Sequence, residues 1–463
     1  MRGMAVDGRS FLVVGLGVTG AAVARFLRRR GAVVTAADTA EFGTLSDKVA
    51  ELADLGARVL TGEAGNLEAL DWTGIDAVVL SPGVPHTLEP LVAAANRGVP
   101  VMGEIELAAR FVDRPIVAIT GTNGKTTTTE LVARMLDASG WSVFMGGNIG
   151  DPLIGAVDRG ERPDRIVVEL SSFQLDTIET FRPRVATLLN ITPDHLDRYA
   201  DMDAYTRSKG RIFMNQTPED VAVINGADPR VRAAADGIRS RIWVFHGVRA
   251  GERGAVREGD QLVFDPPTGA GPRFTADLTA VHLPGAHNAE NIAAAGLTAL
   301  AAGATPDGIR AALGDFRGLP HRMTPVACVD GVRYVDDSKG TNIDAVARAL
   351  EAVSGPVVLI MGGRNKRGRF EPLREAIRTH VKALVVMGEA AEEIAGAMDG
   401  AVPVTFAGDM ISAVAEARRA AAPGETVLLS PGCASFDMFR SYAERGDCFR
   451  AAVTGLLPLE GGP

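Results

Sequence analysis

Strands and helices alternate almost throughout this chain of 463 residues, and three observations turn that alternation into a fold. Two glycine-rich turns each join an apolar strand to a helix. The strand runs are continuously apolar, as buried parallel strands are, and the length allows roughly three domains of about 150 residues. The expected architecture is α/β in three domains, residues 1–112, 113–318 and 319–463, each built on a mostly parallel sheet.

Composition narrows the function classes. Hydrophobic residues at 46% and charged residues at 23% are the mix of a soluble globular protein rather than a disordered chain. A net charge of −9 argues against a nucleic-acid partner or an anionic membrane surface. No apolar run reaches the ~18 residues of a membrane span. Cys328, Cys433 and Cys448 form no CxxC pair and no even framework, which fits a reducing compartment, so a cytoplasmic location is expected.

The first domain opens with an ambiguity. Arg2 and Arg9 followed by Phe11–Ala24 resemble an export signal, but Asp7 and three glycines suit one poorly. Gly15, Gly17 and Gly20 stand at G-x-G-x-x-G spacing between the strand run Phe11–Val14 and a helix, and Asp38 ends the next apolar run. That is a Rossmann-like βαβ unit, continued by strand runs at Val59–Leu60 and Ala77–Leu80. Read alone, it binds a dinucleotide, with Asp38 on a ribose.

The second domain starts at PIVAIT (Pro115–Thr120) and continues with strands at Ile166–Leu170, Val185–Asn190 and Val221–Asn225. From Gly247 to Asp277 the composition shifts to Gly, Arg, Glu and Pro around one short strand, QLVF, expected as a hairpin or surface excursion. The third domain, Rossmann-like again, carries strands at Arg333–Val335, Pro356–Met361, Ala383–Met387 and Thr426–Ser430. The junctions at Arg110–Pro115 and Phe316–Pro320 have the proline, glycine and charge of domain hinges.

The central domain carries the chemistry. After PIVAIT come Gly121, Thr122, Asn123, Gly124, Lys125, Thr126 and Thr127, then a helical run. This P-loop-like turn aims backbone N–H groups and a helix N-terminus at one point, which binds phosphate. Lys125 adds a point charge and Thr126 a hydroxyl for Mg²⁺. The strict P-loop pattern fails, because Ile119 stands five residues before Gly124, so GTNGKT is a shortened form. Glu169 ends the strand RIVVEL at the carboxyl edge of the sheet, as a Mg²⁺ ligand or as a cap for the Ser171–Ser172 turn. His195, on a loop after a strand, is as readily structural as a ligand. Lys209 sits on a helical stretch where lysine is usually solvated.

Lysine usage adds weight to that set. Only six of the 48 basic residues are lysines, and four of them, Lys125, Lys209, Lys339 and Lys366, fall in motifs. Where arginine makes the generic surface charge, a retained lysine marks a place needing a compact or deprotonatable amine.

Taken together, the motifs resemble the Mur ligases of peptidoglycan synthesis along nearly the whole chain. The resemblance rests on GLGVTG (Gly15–Gly20), SPGV (Ser81–Val84), GTNGKTT, GGNIG (Gly146–Gly150), ELSSFQL (Glu169–Leu175), TPDHLDRY (Thr192–Tyr199), HNAEN (His287–Asn291), GLPHR (Gly318–Arg322), DDSKGTN (Asp336–Asn342) and SPGCASFDMF (Ser430–Phe439). It implies ATP-driven amide formation in the branch of the family that adds D-glutamate to UDP-N-acetylmuramoyl-L-alanine through an acyl phosphate.

The resemblance also assigns roles. Lys125 and the Gly121–Thr127 loop would hold the phosphates; Thr126 and Glu169 would bind one Mg²⁺; Glu169, His195 and a carbamylated Lys209 would shape a second, with Mn²⁺ an alternative ion. Asn288, Asn291, Arg322 and Asp337 match nucleotide contacts, the last two arriving from the third domain. Val18, Thr19, Asp38, Ser81 and Asn148 match the UDP-sugar site, which replaces the dinucleotide reading. D-Glutamate would dock on Lys339, Thr341, Lys366, Ser435 and Phe436, with Tyr442 near the reacting end of the UDP substrate. The enzyme is expected to act as a monomer. One departure stands out: Arg369 occupies a position where the family commonly has an acidic residue, which bears on how Lys366 is oriented. Cys433 is expected to be a packed small residue, since SPGCAS offers it no base.

Three rival readings remain. A nicotinamide-dependent oxidoreductase would leave everything after GTNGKT unused. A folate-type polyglutamate ligase begins close to its P-loop, whereas here a complete α/β unit precedes Lys125. A nucleotide switch would not need Glu169, His195 and Lys209 together.

Overall fold

The structure, a computed structural model, describes residues 4–266, 272–281, 283 and 285–456. Three sheets carry the fold. The first is five-stranded and parallel, in the order Arg58–Thr61, Val33–Asp38, Ser10–Val14, Ala77–Leu80, Val101–Gly103. Its strand Ser10–Val14 runs into a turn at Gly15 (φ +86°) and on into the helix Val18–Arg29. A Cβ at Gly20 would stand 1.8 Å from Gly15 O, so only glycine lets that helix lie so close to the turn. The stretch that resembled an export signal is therefore a buried strand and a helix.

The second sheet has nine strands, in the order Phe274–Asp277, Gln261–Asp265, Gly254–Glu258, Arg241–Phe245, Val221–Asn225, Val185–Leu188, Ile116–Thr120, Arg165–Glu169, Val143–Gly147. The six around Ile116–Thr120 are parallel, and Ile116–Thr120 itself is buried at every residue. The excursion between 247 and 277 is more regular than its composition suggests. It forms three strands, Gly254–Glu258, Gln261–Asp265 and Phe274–Asp277, the last two added antiparallel. Phe264 stacks on Phe274 with ring centroids 4.7 Å apart, and this pair anchors the extension.

The third sheet has six strands, in the order Thr324–Val329, Val332–Asp336, Thr426–Gly432, Val357–Gly362, Val381–Met387, Val404–Phe406, with only the first antiparallel. Along Val357–Gly362 successive side chains enter opposite cores. Val357, Leu359 and Met361 pack with Leu350, Phe370 and Ile394, whereas Val358 and Ile360 pack with Val414, Ala417 and Phe449. Helices cover both faces, which explains the unbroken apolar runs of its central strands.

Contacts divide the chain into two compact units. One comprises Met1–Ile191, Thr206–Leu278 and Glu290–Gly314, and the other Thr192–Tyr205, Thr279–Ala289 and Asp315–Pro463. The first two sheets thus share a unit, and the junction expected as a hinge at Arg110–Pro115 is braced. The helix Glu104–Ala109 just before it holds two buried glutamates. Glu106 accepts from the backbone N–H groups of Glu179, Thr180 and Phe181, and Glu104 from that of Ile154.

Candidate active site

In the first unit, the phosphate loop follows from local sequence. The strand Ile116–Thr120 delivers the chain to Gly121. Gly124 (φ +82°) turns it into the helix Lys125–Asp137, and a Cβ on Gly124 would lie 2.2 Å from Asn291 Oδ1. Asn190 clamps the loop: its carbonyl accepts from Thr122 N at 2.9 Å, and its side chain exchanges hydrogen bonds with the backbone of Asn123 at 2.8 and 3.1 Å. Lys125 Nζ lies over the loop, 3.0 Å from Gly121 O and 2.8 Å from Thr122 O. Lys209 is buried, not solvated, and its Nζ donates to the same Gly121 carbonyl at 2.7 Å. Two lysines from different helices meet at one glycine carbonyl.

Glu169 ends a strand paired directly with that of the loop, with Ile119 opposite it. Its Oε1 accepts from Asn148 Nδ2 at 2.7 Å, and its buried Oε2 has no hydrogen-bond partner among the described residues. It does not cap the Ser171 turn. Gln174 does, in a reciprocal pair in which Ser171 Oγ accepts from Gln174 N and Gln174 Oε1 accepts from Ser171 N. A buried carboxylate oxygen left without a donor, on the strand next to the one that leads into a phosphate loop whose helix begins Lys125–Thr126, suits a hard divalent cation. Among the described residues no three His, Cys, Asp or Glu side chains cluster to hold a metal, so a full ligand set would need other oxygens.

The glycine turn of the first sheet lines a cavity of about 720 Å³, together with Val18, Thr19, Asp38, Asn66 and Ser81. Both Asp38 oxygens are engaged by the backbone, Oδ2 with Leu16 N at 2.6 Å and Oδ1 with Ala40 N at 2.8 Å. Asp38 thus sets the shape of the turn. Ser81 Oγ donates to Gly15 O at 2.7 Å, and Lys48 reaches Leu16 O at 3.1 Å.

In the second unit, three neighbouring strands, Val332–Asp336, Thr426–Gly432 and Val357–Gly362, end together. Their loops carry the residues matched to an amino-acid substrate. Lys366 Nζ is 3.2 Å from Asp194 Oδ1 and 3.4 Å from Thr341 Oγ1, and Asn342 Nδ2 donates to Asp194 Oδ2 at 3.3 Å. Lys339 Nζ lies 4.9 Å from the centroid of the Tyr442 ring, Ser435 is buried and Phe436 is exposed. His195 takes a left-handed backbone (φ +55°), with Nε2 3.7 Å from Asp194 Oδ2. Asp337 is buried, and burial pushes its carboxyl up to about 7 despite a 2.8 Å bond from Ser430 Oγ and the attraction of Arg322. His287, from HNAEN, is pushed down to about 4 by burial and by Arg348 and Arg322. Arg369 is solvent-exposed, 3.8 Å from Glu371. Cys433 is fully buried, and burial pushes its thiol up to about 12, as a packing residue should be.

Comparison with known proteins fixes the family. Residues 9–103 match the Mur ligase MurD-like N-terminal domain, 119–299 the Mur ligase middle domain and 321–433 the Mur ligase glutamate ligase domain. A UDP-N-acetylmuramoylalanine--D-glutamate ligase of Desulfosudis oleivorans is 53% identical over 98% of each chain. The chain belongs to the Mur ligase family. It is accordingly an ATP-dependent ligase. An enzyme of the same name from Desulfatibacillum aliphaticivorans is 49% identical over 98% of this chain and 100% of its own. The fold is shared with more distant ligases. A pseudomurein peptide ligase type C of Methanothermus fervidus aligns over 97% of this chain and 100% of its own at TM-score 0.62 and 18% identity. A MurF ligase of Thermotoga maritima, solved with ADP, aligns over 97% and 99% at TM-score 0.58 and 16% identity.

Several residues that shape these sites carry little signal of their role in the sequence. Asp194, the partner of Lys366, lies inside TPDHLDRY next to His195 but is an ordinary loop acid by type and spacing. Lys48 lay outside every motif, although its rarity as a lysine was a usable signal. Asn190 ends the strand run expected at Val185–Asn190, and nothing in that run announces a clamp.

Proposed function

We propose that this ligase joins D-glutamate to UDP-N-acetylmuramoyl-L-alanine, with ATP as the energy source. The observation that supports it most is the pair of lysines on Gly121 O beside the unpartnered oxygen of Glu169, a site equipped for phosphoryl transfer. The choice of substrates follows the names of the full-length relatives.

A carboxylate is a poor electrophile because its leaving group would be an oxide. Its oxygen therefore attacks the γ-phosphorus of ATP, the bond from γ-phosphorus to the bridging oxygen breaks, and ADP leaves. The amine nitrogen of D-glutamate then attacks the acyl carbon, gives up a proton, and the tetrahedral intermediate expels inorganic phosphate. Both reactants of the first step are anions, so positioning and charge neutralisation carry the catalysis.

In the first unit Lys125 turns from the loop carbonyls to the phosphates, the loop N–H groups cradle them, and Asn291 closes on the nucleotide. The cavity at Val18, Thr19, Asp38 and Ser81 takes the UDP group, and Asn148 orients Glu169 while meeting the sugar end. Thr126 and Glu169 would hold Mg²⁺ or Mn²⁺, which when bound neutralises phosphate charge. Lys209 as a carbamate would supply further oxygen ligands. In the second unit Asn288, Arg322 and Asp337 are assigned to nucleotide, and Lys339, Thr341, Lys366, Ser435 and Phe436 to the two carboxylates of glutamate, with Tyr442 beside Lys339. His195 would help to hold a second divalent ion, the role that the resemblance implies for it. We place the enzyme in the cytoplasm as a monomer.

The test is ADP release by purified enzyme with UDP-N-acetylmuramoyl-L-alanine and either D- or L-glutamate. D-Glutamate should drive turnover and L-glutamate should not, and Lys125→Ala should lower kcat by at least about a hundredfold. Full-rate ADP release with no amino acid present would overturn amide ligation.

A further inference from the structure

The loops assigned to glutamate leave three strand ends, and three loops hold a geometry only if something fixes them to one another. A single buried side chain does so. Arg445, on the helix Tyr442–Thr454, is 2% exposed and spends its guanidinium on backbone and hydroxyl oxygens of all three loops. Its Nε donates to Ser338 Oγ at 3.0 Å and its Nη2 to Ser338 O at 2.8 Å, while Nη1 donates to Cys433 O at 3.1 Å and Gly362 O at 3.4 Å. No carboxylate pairs with it at salt-bridge distance among the described residues, and burial pulls its guanidinium down to about 10. A buried cation spent wholly on neutral oxygens is costly for stability alone.

The three carbonyls it holds are not arbitrary. Ser338 directly precedes Lys339, Gly362 lies four residues before Lys366, and Cys433 lies two before Ser435. The helix is itself pinned to the same loops. Ser338 Oγ donates to Tyr442 O at 2.7 Å, and a Cβ on Gly446 would come within 2.1 Å of His321 Nδ1 and 2.8 Å of Asp336 Oδ2, a pair bonded at 2.7 Å. Asp336 Oδ1 in turn accepts from Ser338 N at 2.9 Å.

We propose that Arg445 is a positioning residue for the amino-acid substrate: it sets the spacing of the three loops that carry Lys339, Lys366 and Ser435, and with it the affinity for a dicarboxylic amino acid. The inference rests on the assignment of these loops to glutamate. A guanidinium reaches four acceptors in a fixed plane; an ammonium keeps the charge but cannot span them.

The experiment is steady-state kinetics of Arg445→Lys and Ser338→Ala against wild type, varying each substrate in turn, with melting temperatures alongside. Arg445→Lys should raise KM for D-glutamate by at least about tenfold while KM for ATP and for the UDP substrate stay within about twofold. Ser338→Ala, which loses one of the four contacts, should give a smaller shift of the same kind. Guanidinium ion added to Arg445→Ala should lower its KM for D-glutamate. An unchanged KM in Arg445→Lys, or equal losses for all three substrates that follow the fall in melting temperature, would overturn the role and leave the ligase reading standing. A wild-type enzyme indifferent to D-glutamate would instead remove the reading on which it rests.

Discussion

Lys209 Nζ stands 2.7 Å from Gly121 O, with the residue 2% exposed, and the choice of lysine there can be tested against arginine. If the amine serves only to hold the phosphate loop, Lys209→Arg keeps a donor and a charge and should retain most activity. If it is carbamylated, arginine fails, because a guanidinium does not capture CO₂ under these conditions and offers no oxygen to a metal. We expect both Lys209→Arg and Lys209→Ala to lose at least about a hundredfold in kcat. Wild-type enzyme held in CO₂-free buffer should lose activity and regain it with bicarbonate; an active Lys209→Arg would end the carbamate proposal. At this scale the sequence was legible in proportion to rarity. Six lysines against 42 arginines made Lys125, Lys209, Lys339 and Lys366 visible, and the same bias hid Arg445, one more arginine on an ordinary helix. Asp194 was hidden for a related reason: its role lies in Lys366 and Asn342, both more than a hundred residues away in the chain.

Among elements, the helix Glu104–Ala109 departs furthest from its appearance in sequence. EIELAA carries two glutamates in six residues, and all six residues are buried. Glu106 accepts from Glu179 N, Thr180 N, Phe181 N, Thr180 Oγ1 and Arg110 Nε. Burial would push its carboxyl up, but the bonds from Thr180, Glu179, Phe181 and Arg110 together outweigh that and hold it below the usual carboxylate range. A lowered value stabilises the fold above the unfolded-state pKa near 4.3 and loses that contribution as pH falls through the folded one. Glu106→Gln should cost about 3 kcal/mol at neutral pH, because either amide orientation turns an NH₂ toward backbone N–H donors. Denaturant unfolding measures it, and a loss under about 0.5 kcal/mol would show the brace to be idle. The unbroken apolar runs of the central parallel strands made those legible in advance, whereas the parallel strands Val101–Gly103, Val143–Gly147, Arg241–Phe245 and Val404–Phe406 were not among those expected. The strands Gly254–Glu258 and Phe274–Asp277 were not legible either, because GAVRE and FTAD are short and half polar, and only pairing with QLVFD gives them a buried face.

Across the whole molecule, two buried carboxyls set a pH dependence opposite in sign to that of Glu106. Burial pushes both Glu104 and Asp337 up to about 7. Below about pH 4 such a group is protonated in folded and unfolded chains alike and contributes nothing. Between about pH 4 and pH 7 the unfolded chain gives up the proton and the folded chain keeps it, so stability falls as pH rises, then levels off. Asp337 is assigned to nucleotide and cannot be changed cleanly, but Glu104 has no catalytic assignment. Its Oε1 accepts from Ile154 N at 2.7 Å and its buried Oε2 has no partner among the described residues, so Glu104→Gln keeps the accepting oxygen and removes the titration. The melting temperature of Glu104→Gln should match wild type near pH 4 and exceed it increasingly up to pH 8, a gain on the order of 3 kcal/mol once the site is fully ionised. Curves that run parallel across that range would mean Glu104 is charged in the folded ligase. Since Asp337 still titrates in the variant, the slope with pH should flatten without vanishing, and that residual slope separates a change at one site from a general gain in stability.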